Sequence, residues 1–290
     1  MLGVIGIAVV FVMVFGGYLG AGGKLSIILH SLPFELTMIG GAAVGALFIS
    51  NDFQAVKHTL RDIGTVFRGP AWKKQDYHDL LVLLFNLIRI GRDNPMALEE
   101  HIESPDTSAL FAAAPRIAAD REVVELICDT LRSASMNYDD PHQVEEVLDK
   151  RIEARQTHAE HSGHALQTMA DGLPALGIVA AVLGVIKTMS SIDKPPEILG
   201  KSIGSALVGT FLGVFLAYGL IGPFATKLQS VTAQDQHFYL LVREVLVAYL
   251  HRHPPVICVE VGRQNLPAPL RPSFADVEEA LRGQKQEMAA

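Results

Sequence analysis

The chain has 290 residues, 49% of them apolar and 7% aromatic, with a formal net charge of −7. A mean hydropathy of +0.29 directs attention to membrane spans before soluble folds, and an acidic balance with no concentrated basic patch excludes a nucleic-acid-binding surface. The two cysteines, Cys128 and Cys258, stand far apart and outside any ligand spacing, which argues against a disulfide scaffold or a zinc site and leaves ordinary reduced thiols.

Residues 2–20, "LGVIGIAVVFVMVFGGYLG", form an uncharged run long enough to cross a hydrocarbon core of roughly 30 Å at about 1.5 Å per residue. The run has no basic leading region and no small-residue cleavage pattern, so it reads as a first transmembrane helix rather than a signal peptide. A loop, "AGGKLSIILHSL", leads to a second span at residues 33–50, "PFELTMIGGAAVGALFIS", with Glu35 at its edge. Charge then appears abruptly at Asp52, Lys57 and Arg61.

Residues 52–170 are polar and read as helices. In "DYHDLLVLLFNLIRIG" one stripe carries Leu80, Leu83, Leu84, Leu87 and Ile88, and in "ADREVVELICDTLRS" it carries Val123, Leu126, Ile127 and Leu131. In "DDPHQVEEVLDKRIEARQ", Asp140 caps a helix with Pro141 in its first turn, and Val144, Val147, Leu148 and Ile152 continue one face toward a third span. His158, His161 and His164 recur every three residues just before that span. They read as an exposed polar face, with a metal site or proton antenna as the alternative.

The third span, "GLPALGIVAAVLGVIKTM", and the fourth, "IGSALVGTFLGVFLAYGLIGPFA", flank the loop "SSIDKPPEILGKS". Gly172, Gly177, Ala180, Ala181 and Gly184 in one, and Gly204, Ala206, Gly209, Gly213, Ala217 and Gly219 in the other, permit close helix approach. Pro174 and Pro223 can kink or hinge their helices. Thr210 offers a hydroxyl to an ion or a carboxylate, the plain alternative being a bond to its own backbone. Lys187 snorkels to the outer surface. No acid stands near the middle of any span on this reading, so a proton pathway would need a carboxyl from elsewhere. Beyond the fourth span, "QDQHFYLLVREVLVAYLHRHPP" is an amphipathic helix stopped by Pro254 and Pro255.

Few basic residues border the two short loops (Lys24, then Lys194 and Lys201), whereas Lys57, Arg61, Arg68, Lys73, Lys74, Lys150, Arg151, Arg155 and Lys227 lie on the other side. The positive-inside rule makes that side cytoplasmic, with both termini. The expected fold is an all-α integral membrane protein: a first hairpin at 1–51, a helical cytoplasmic domain at 52–170, a second hairpin at 171–228 and a cytoplasmic tail at 229–290.

Five stretches, "VFGGYLGAGG", "DLLVLLFNLIRIGRDNPMALEEHIESP", "DGLPALGIVAAVLGVI", "VGTFLGVFLAYGLIGPFAT" and "RPSFADVEE", closely resemble the MotA family of flagellar-motor stator proteins, in its longer proton-type branch, along nearly the whole chain. The resemblance implies a ring-forming subunit in the bacterial inner membrane, a pentamer around a dimer of the partner MotB. MotB would supply the proton-carrying aspartate and the peptidoglycan anchor. It further implies that the assembly sits in membrane lipid and that the third and fourth spans line the ring, with Thr210 facing the partner's aspartate and Pro174 and Pro223 coupling protonation to movement.

Arg92 and Glu99 would meet charges on the rotor protein FliG. The segment between them is one residue shorter than in the family, which leaves Glu100 as an alternative to Glu99. Sodium-driven relatives carry threonine where this chain has Ala181, so the implied coupling ion is the proton, with no other cofactor. The alternatives are an ExbB or TolQ-type subunit energising outer-membrane transport, against which the long 52–170 segment and the "RPSF" tail speak, and a non-conducting scaffold. No nucleophile elbow, phosphate loop or metal-ligand motif points to an enzyme.

Overall fold

Two long apolar hairpins and several amphipathic stretches leave helices as the regular structure, and no strand occurs among the described residues. The computed structural model describes residues 2–136, 140–190 and 192–287, with Leu2 and residues 282–287 by backbone alone. Asp139, Ser191 and the last three residues of the tail fall outside them.

In chain order the helices are α1 (Leu2–Gly20), α2 (Leu25–Glu35), α3 (Gly41–Ser50), α4 (Phe53–Asp62), α5 (Thr65–Arg68), α6 (Lys74–Asp93) and α7 (Pro95–Glu103). There follow α8 (Ala109–Ala112), α9 (Pro115–Ala118), α10 (Arg121–Met136), α11 (Pro141–Met189), α12 (Pro196–Leu216), α13 (Gly222–Leu250), α14 (Pro255–Asn265) and α15 (Phe274–Glu287). Two π-helical turns, Leu36–Gly40 and Ala217–Ile221, join α2 to α3 and α12 to α13 without a break in the helix. Among the described residues, four helical stretches are long and apolar enough to cross a membrane.

The second of these is longer than its sequence reading. Residues 25–32, expected as loop, are helical, and Leu25–Ser50 is continuous. Pro33 cannot donate to the carbonyl one turn back, and the π turn three residues later reorganises the bonding so that the helix runs on. Glu35 is therefore not at the end of a span: ten residues of helix precede it, a rise of about 15 Å.

The chain forms two compact units. The first comprises Met1–Gly69 and His158–Thr232. Within it, α1 has no buried residue along Gly3–Gly20, as a lipid-facing helix requires, and it touches α12 through aromatic edges, Phe11 and Phe15 lying 5.3 and 5.5 Å from Phe215. The Asp52 side chain caps α4 by accepting from Ala55 N at 2.7 Å. Ser162 on α11 donates to Asp62 at 2.7 Å, fixing α4 to α11.

The second unit comprises Pro70–Thr157 and Ala233–Ala290. The α6 stripe (Leu80, Leu83, Leu84, Leu87, Ile88) and the α10 stripe (Val123, Leu126, Ile127, Leu131) are both buried, and their core also takes in Phe238, Val242, Cys258, Val277 and Leu281. The C-terminal segment is thus part of one core with the central segment. Its entry is pinned by Asp235, which accepts from Ala71 N at 2.8 Å and Trp72 N at 3.3 Å while Trp72 stacks on Phe238 at 3.8 Å.

Asp140 caps α11 as expected, accepting from His142 N at 3.0 Å. Val144, Leu148 and Ile152 are buried, but Val147 is 66% exposed. At 3.6 residues per turn it stands about 100° from Leu148 and about 140° from Ile152, off the stripe to which the sequence assigned it.

Candidate functional site

The small residues of the third and fourth spans meet as rungs. A methyl group built on Gly184 would lie 2.6 Å from Ala206 Cβ, one on Gly177 would lie 2.9 Å from the Gly209 carbonyl oxygen, and one on Gly213 would lie 2.7 Å from the Leu173 carbonyl oxygen. The antiparallel helices α11 and α12 therefore pack backbone against backbone, an arrangement open only to very small residues. Gly172 and Gly204 face no such contact within the chain. The sequence marked all of these glycines alike, because composition does not give the register of the crossing.

Around this seam sit the residues singled out for ion passage. Pro174 and Ala181 are half-buried on α11, seven residues apart and so on nearly the same face. The Ala181 amide nitrogen lies 3.2 Å from where a Gly209 Cβ would stand. Thr210, the next residue, is half-buried. Unlike Thr188 and Thr226, which donate to their own i−4 carbonyls at 2.9 and 3.1 Å, it makes no side-chain hydrogen bond among the described residues. Its hydroxyl is free for another ligand. Pro223 is exposed, directly beyond the Ala217–Ile221 π turn, and lines an open cleft of about 620 Å³ with Gln167, Tyr218 and Thr226.

Sequence reasoning missed one group here. Glu35 is only 5% exposed, and its Oε2 has no hydrogen-bond partner. It lies against Gly209, where a built Cβ would come within 2.7 Å of Oε2. One turn earlier on α2, the Ser31 hydroxyl meets that of Ser205 on α12 and also donates to the Ile27 carbonyl at 3.0 Å. The signal was available: Ser31 and Glu35 stand four residues apart in a mainly apolar run.

In the second unit, Arg92 ends α6 and Glu99 and Glu100 lie on α7; all three are exposed. The corner between the helices is tight, since a methyl on Gly91 would lie 2.7 Å from Leu98 Cδ2. Asn94 caps α7 by accepting from Ala97 N at 3.4 Å, and buried Leu98 and Ile102 turn the two glutamates outward. Among the described residues none of the three charges has an ion-pair partner, whereas Arg132, Arg151 and Arg243 are all paired.

His158, His161 and His164 are all exposed. Among the described residues, the only histidine and carboxylate cluster tight enough to hold an ion is elsewhere, at His142, Glu145 and His251. There Arg243 Nη2, 3.2 Å from Glu145 Oε1, opposes a cation.

A seam of small residues that holds two spans backbone to backbone, with the Thr210 hydroxyl and the Glu35 carboxyl beside it, defines a helical, multi-pass membrane subunit with polar groups within its packed spans. The MotA/TolQ/ExbB proton channel family model matches residues 119–239, and the Motility protein A N-terminal model matches residues 4–95. The chain is 41% identical to Motility protein A of Salmonella typhimurium, over 97% of this chain and 95% of the relative. It is 40% identical to that of Escherichia coli over 98% and 96%, and 34% identical to Chemotaxis protein LafT of Vibrio parahaemolyticus over 97% and 98%.

Its fold matches a chain of the C. jejuni MotAB structure with a TM-score of 0.73 at 18% identity, covering 93% of this chain and 98% of that one. For the flagellar MotAB stator complex of Bacillus subtilis the TM-score is 0.66 at 22% identity, covering 96% and 98%. The chain belongs to the motility protein A family and is a stator subunit of the flagellar motor.

Proposed function

We propose that this subunit forms a pentameric ring in the bacterial inner membrane around a dimer of a MotB-type partner, and that inward proton flow through the complex drives torque on the rotor protein FliG. Both termini and the second unit face the cytoplasm on this reading, as the lysine and arginine distribution supports. A charge crossing the membrane releases about 2.3 kcal/mol per 100 mV. That energy does work only if protonation of the partner's aspartate changes which arrangement of the ring is preferred.

The observation that carries the reading is the backbone-to-backbone seam of α11 and α12, flanked by Pro174, Ala181 and the unbonded Thr210 hydroxyl. A methyl at Ala181 offers no oxygen to a sodium ion, which needs several; this favours the proton as coupling ion. The Pro223 hinge, beside a π turn, is suited to pass a small rearrangement along the fourth span. Arg92 and Glu99 are the proposed rotor contacts, supported by their exposure and lack of ion pairs; Glu100 is equally exposed and is the substitute position.

Two variants test this. Arg92→Glu with Glu99→Lys is expected to leave the complex assembled and conducting while abolishing rotation, and normal torque in tethered cells would remove the rotor assignment. Pro174→Ala is expected to retain partner binding and lose proton flux; unaltered flux would remove its coupling role.

A further inference from the structure

We infer that Glu35 is a proton-binding station of the subunit itself, receiving protons along the Ser31 and Ser205 hydroxyls and passing them toward the ion pathway beside Ala181 and Thr210. The inference rests on the proton-conduction reading above and extends it: the partner's aspartate is then not the only carboxyl in the route.

Glu35 lies inside the continuous membrane helix Leu25–Ser50, 5% exposed, with Oε2 unpartnered. A carboxyl in a span is costly to keep and marks an ion or proton path far more often than it serves packing. The seam is shaped to hold this one. Gly209 is the residue opposite Oε2, and its hydrogen is the only side chain that fits there, since a methyl would stand 2.7 Å from Oε2 and 3.2 Å from both Ala180 Cβ and the Ala181 amide nitrogen. Glu35 thus meets α12 at Gly209, where the Ala181 backbone also approaches and next to which Thr210 follows in sequence.

Toward the start of α2, one turn from Glu35, the hydroxyls of Ser31 and Ser205 are paired, and hydroxyls can accept one proton while releasing another. Within the membrane-spanning parts of the elements packed against Glu35, the remaining ionisable groups among the described residues are His30 on α2, Asp171 and Lys187 on α11, Glu197 and Lys201 on α12, and Tyr218 in the adjoining π turn. All are exposed. Among the described residues none pairs with Glu35 Oε2, which leaves that oxygen able to take up a proton. In the step a hydroxyl O–H bond of the serine pair breaks as an O–H bond forms at Glu35, the hydroxyl regains a proton from the side of incoming protons at the same time, and the Glu35 O–H bond then breaks as that proton moves to the partner's carboxylate. No electron is transferred.

The test uses the full complex with its partner, purified and placed in liposomes under an imposed potential, with an internal pH dye. If the parent complex does not conduct protons, the proton reading itself fails. Given a conducting parent, Glu35→Gln, which keeps shape and hydrogen bonding, is expected to co-purify with the partner and lose flux by about 100-fold, while Glu35→Asp retains most of it. Parent-like flux in Glu35→Gln overturns the inference. If Glu35→Gln does not assemble, Glu35→Asp decides: a shifted pH dependence of flux supports the relay, and a parent-like profile overturns it.

Discussion

A methyl group at residue 213 would meet the Leu173 carbonyl oxygen at 2.7 Å and Gly177 Cα at 2.8 Å, both backbone atoms that cannot rotate away. Gly213→Ala is therefore expected to force α11 and α12 apart at a cost of about 1–3 kcal/mol, seen as a lowered melting temperature of the detergent-solubilised protein. Gly204→Ala, with nothing nearer than Ile27 Cγ2 at 3.8 Å, should melt like the parent. Equal effects would contradict the seam. The glycine-rich composition was legible in the sequence, but the choice between Gly213 and Gly204 was not, because it depends on where two helices cross. The cysteines give a second residue-scale prediction. Burial pushes the Cys128 thiol up to about 12 and that of Cys258 up to about 11, so both are neutral near pH 7, and only the thiolate attacks alkylating reagents. Native protein should label slowly at both positions and denatured protein rapidly; fast native labelling would contradict their burial.

One element differs from its sequence reading through backbone bonding, and one helix pairing rests on side-chain bonds; hydropathy records neither. The helix containing Pro33 reads as loop then span because proline normally marks a start, yet the π turn at Leu36–Gly40 lets it continue. This hid the depth of Glu35. The pairing of α11 with α13 in the second unit was equally illegible, since it rests on a long-range clamp: Arg243 donates to Asp149 through Nε, and through Nη2 at 3.0 Å, and to Glu145 at 3.2 Å. The Arg243 guanidinium holds the Asp149 carboxyl below its ordinary value, and Arg263 does the same for Glu260. A lowered folded-state value means that the stabilisation is complete above the unfolded values, about 3.9 for Asp and about 4.3 for Glu, and is lost as pH falls through the lower folded ones. Thermal melts followed by circular dichroism should thus drop in temperature below about pH 4, and Arg243→Leu should shrink the Asp149 part of that drop. An unchanged acid profile in Arg243→Leu would show that the clamp is not responsible.

For the whole molecule, the all-α class and the two hairpins followed from apolar runs bounded by charge, which is why they were readable without coordinates. The docking of the tail was not, because Val277 and Leu281 join the core of α6 only through contacts remote in sequence. Exposed Arg92 and Glu99 were readable as charges and not as unpaired ones; that required knowing that their neighbours Leu98 and Ile102 turn inward and that the other arginines are engaged. As a stator subunit, the protein energises rotation and is not needed to build the filament. Deleting its gene in a strain with no second stator, then examining the cells by electron microscopy and by tethering, tests that claim most directly. Normal filaments that do not turn, restored by the intact gene, are the predicted result. Normal swimming, or cells lacking filaments, would contradict it.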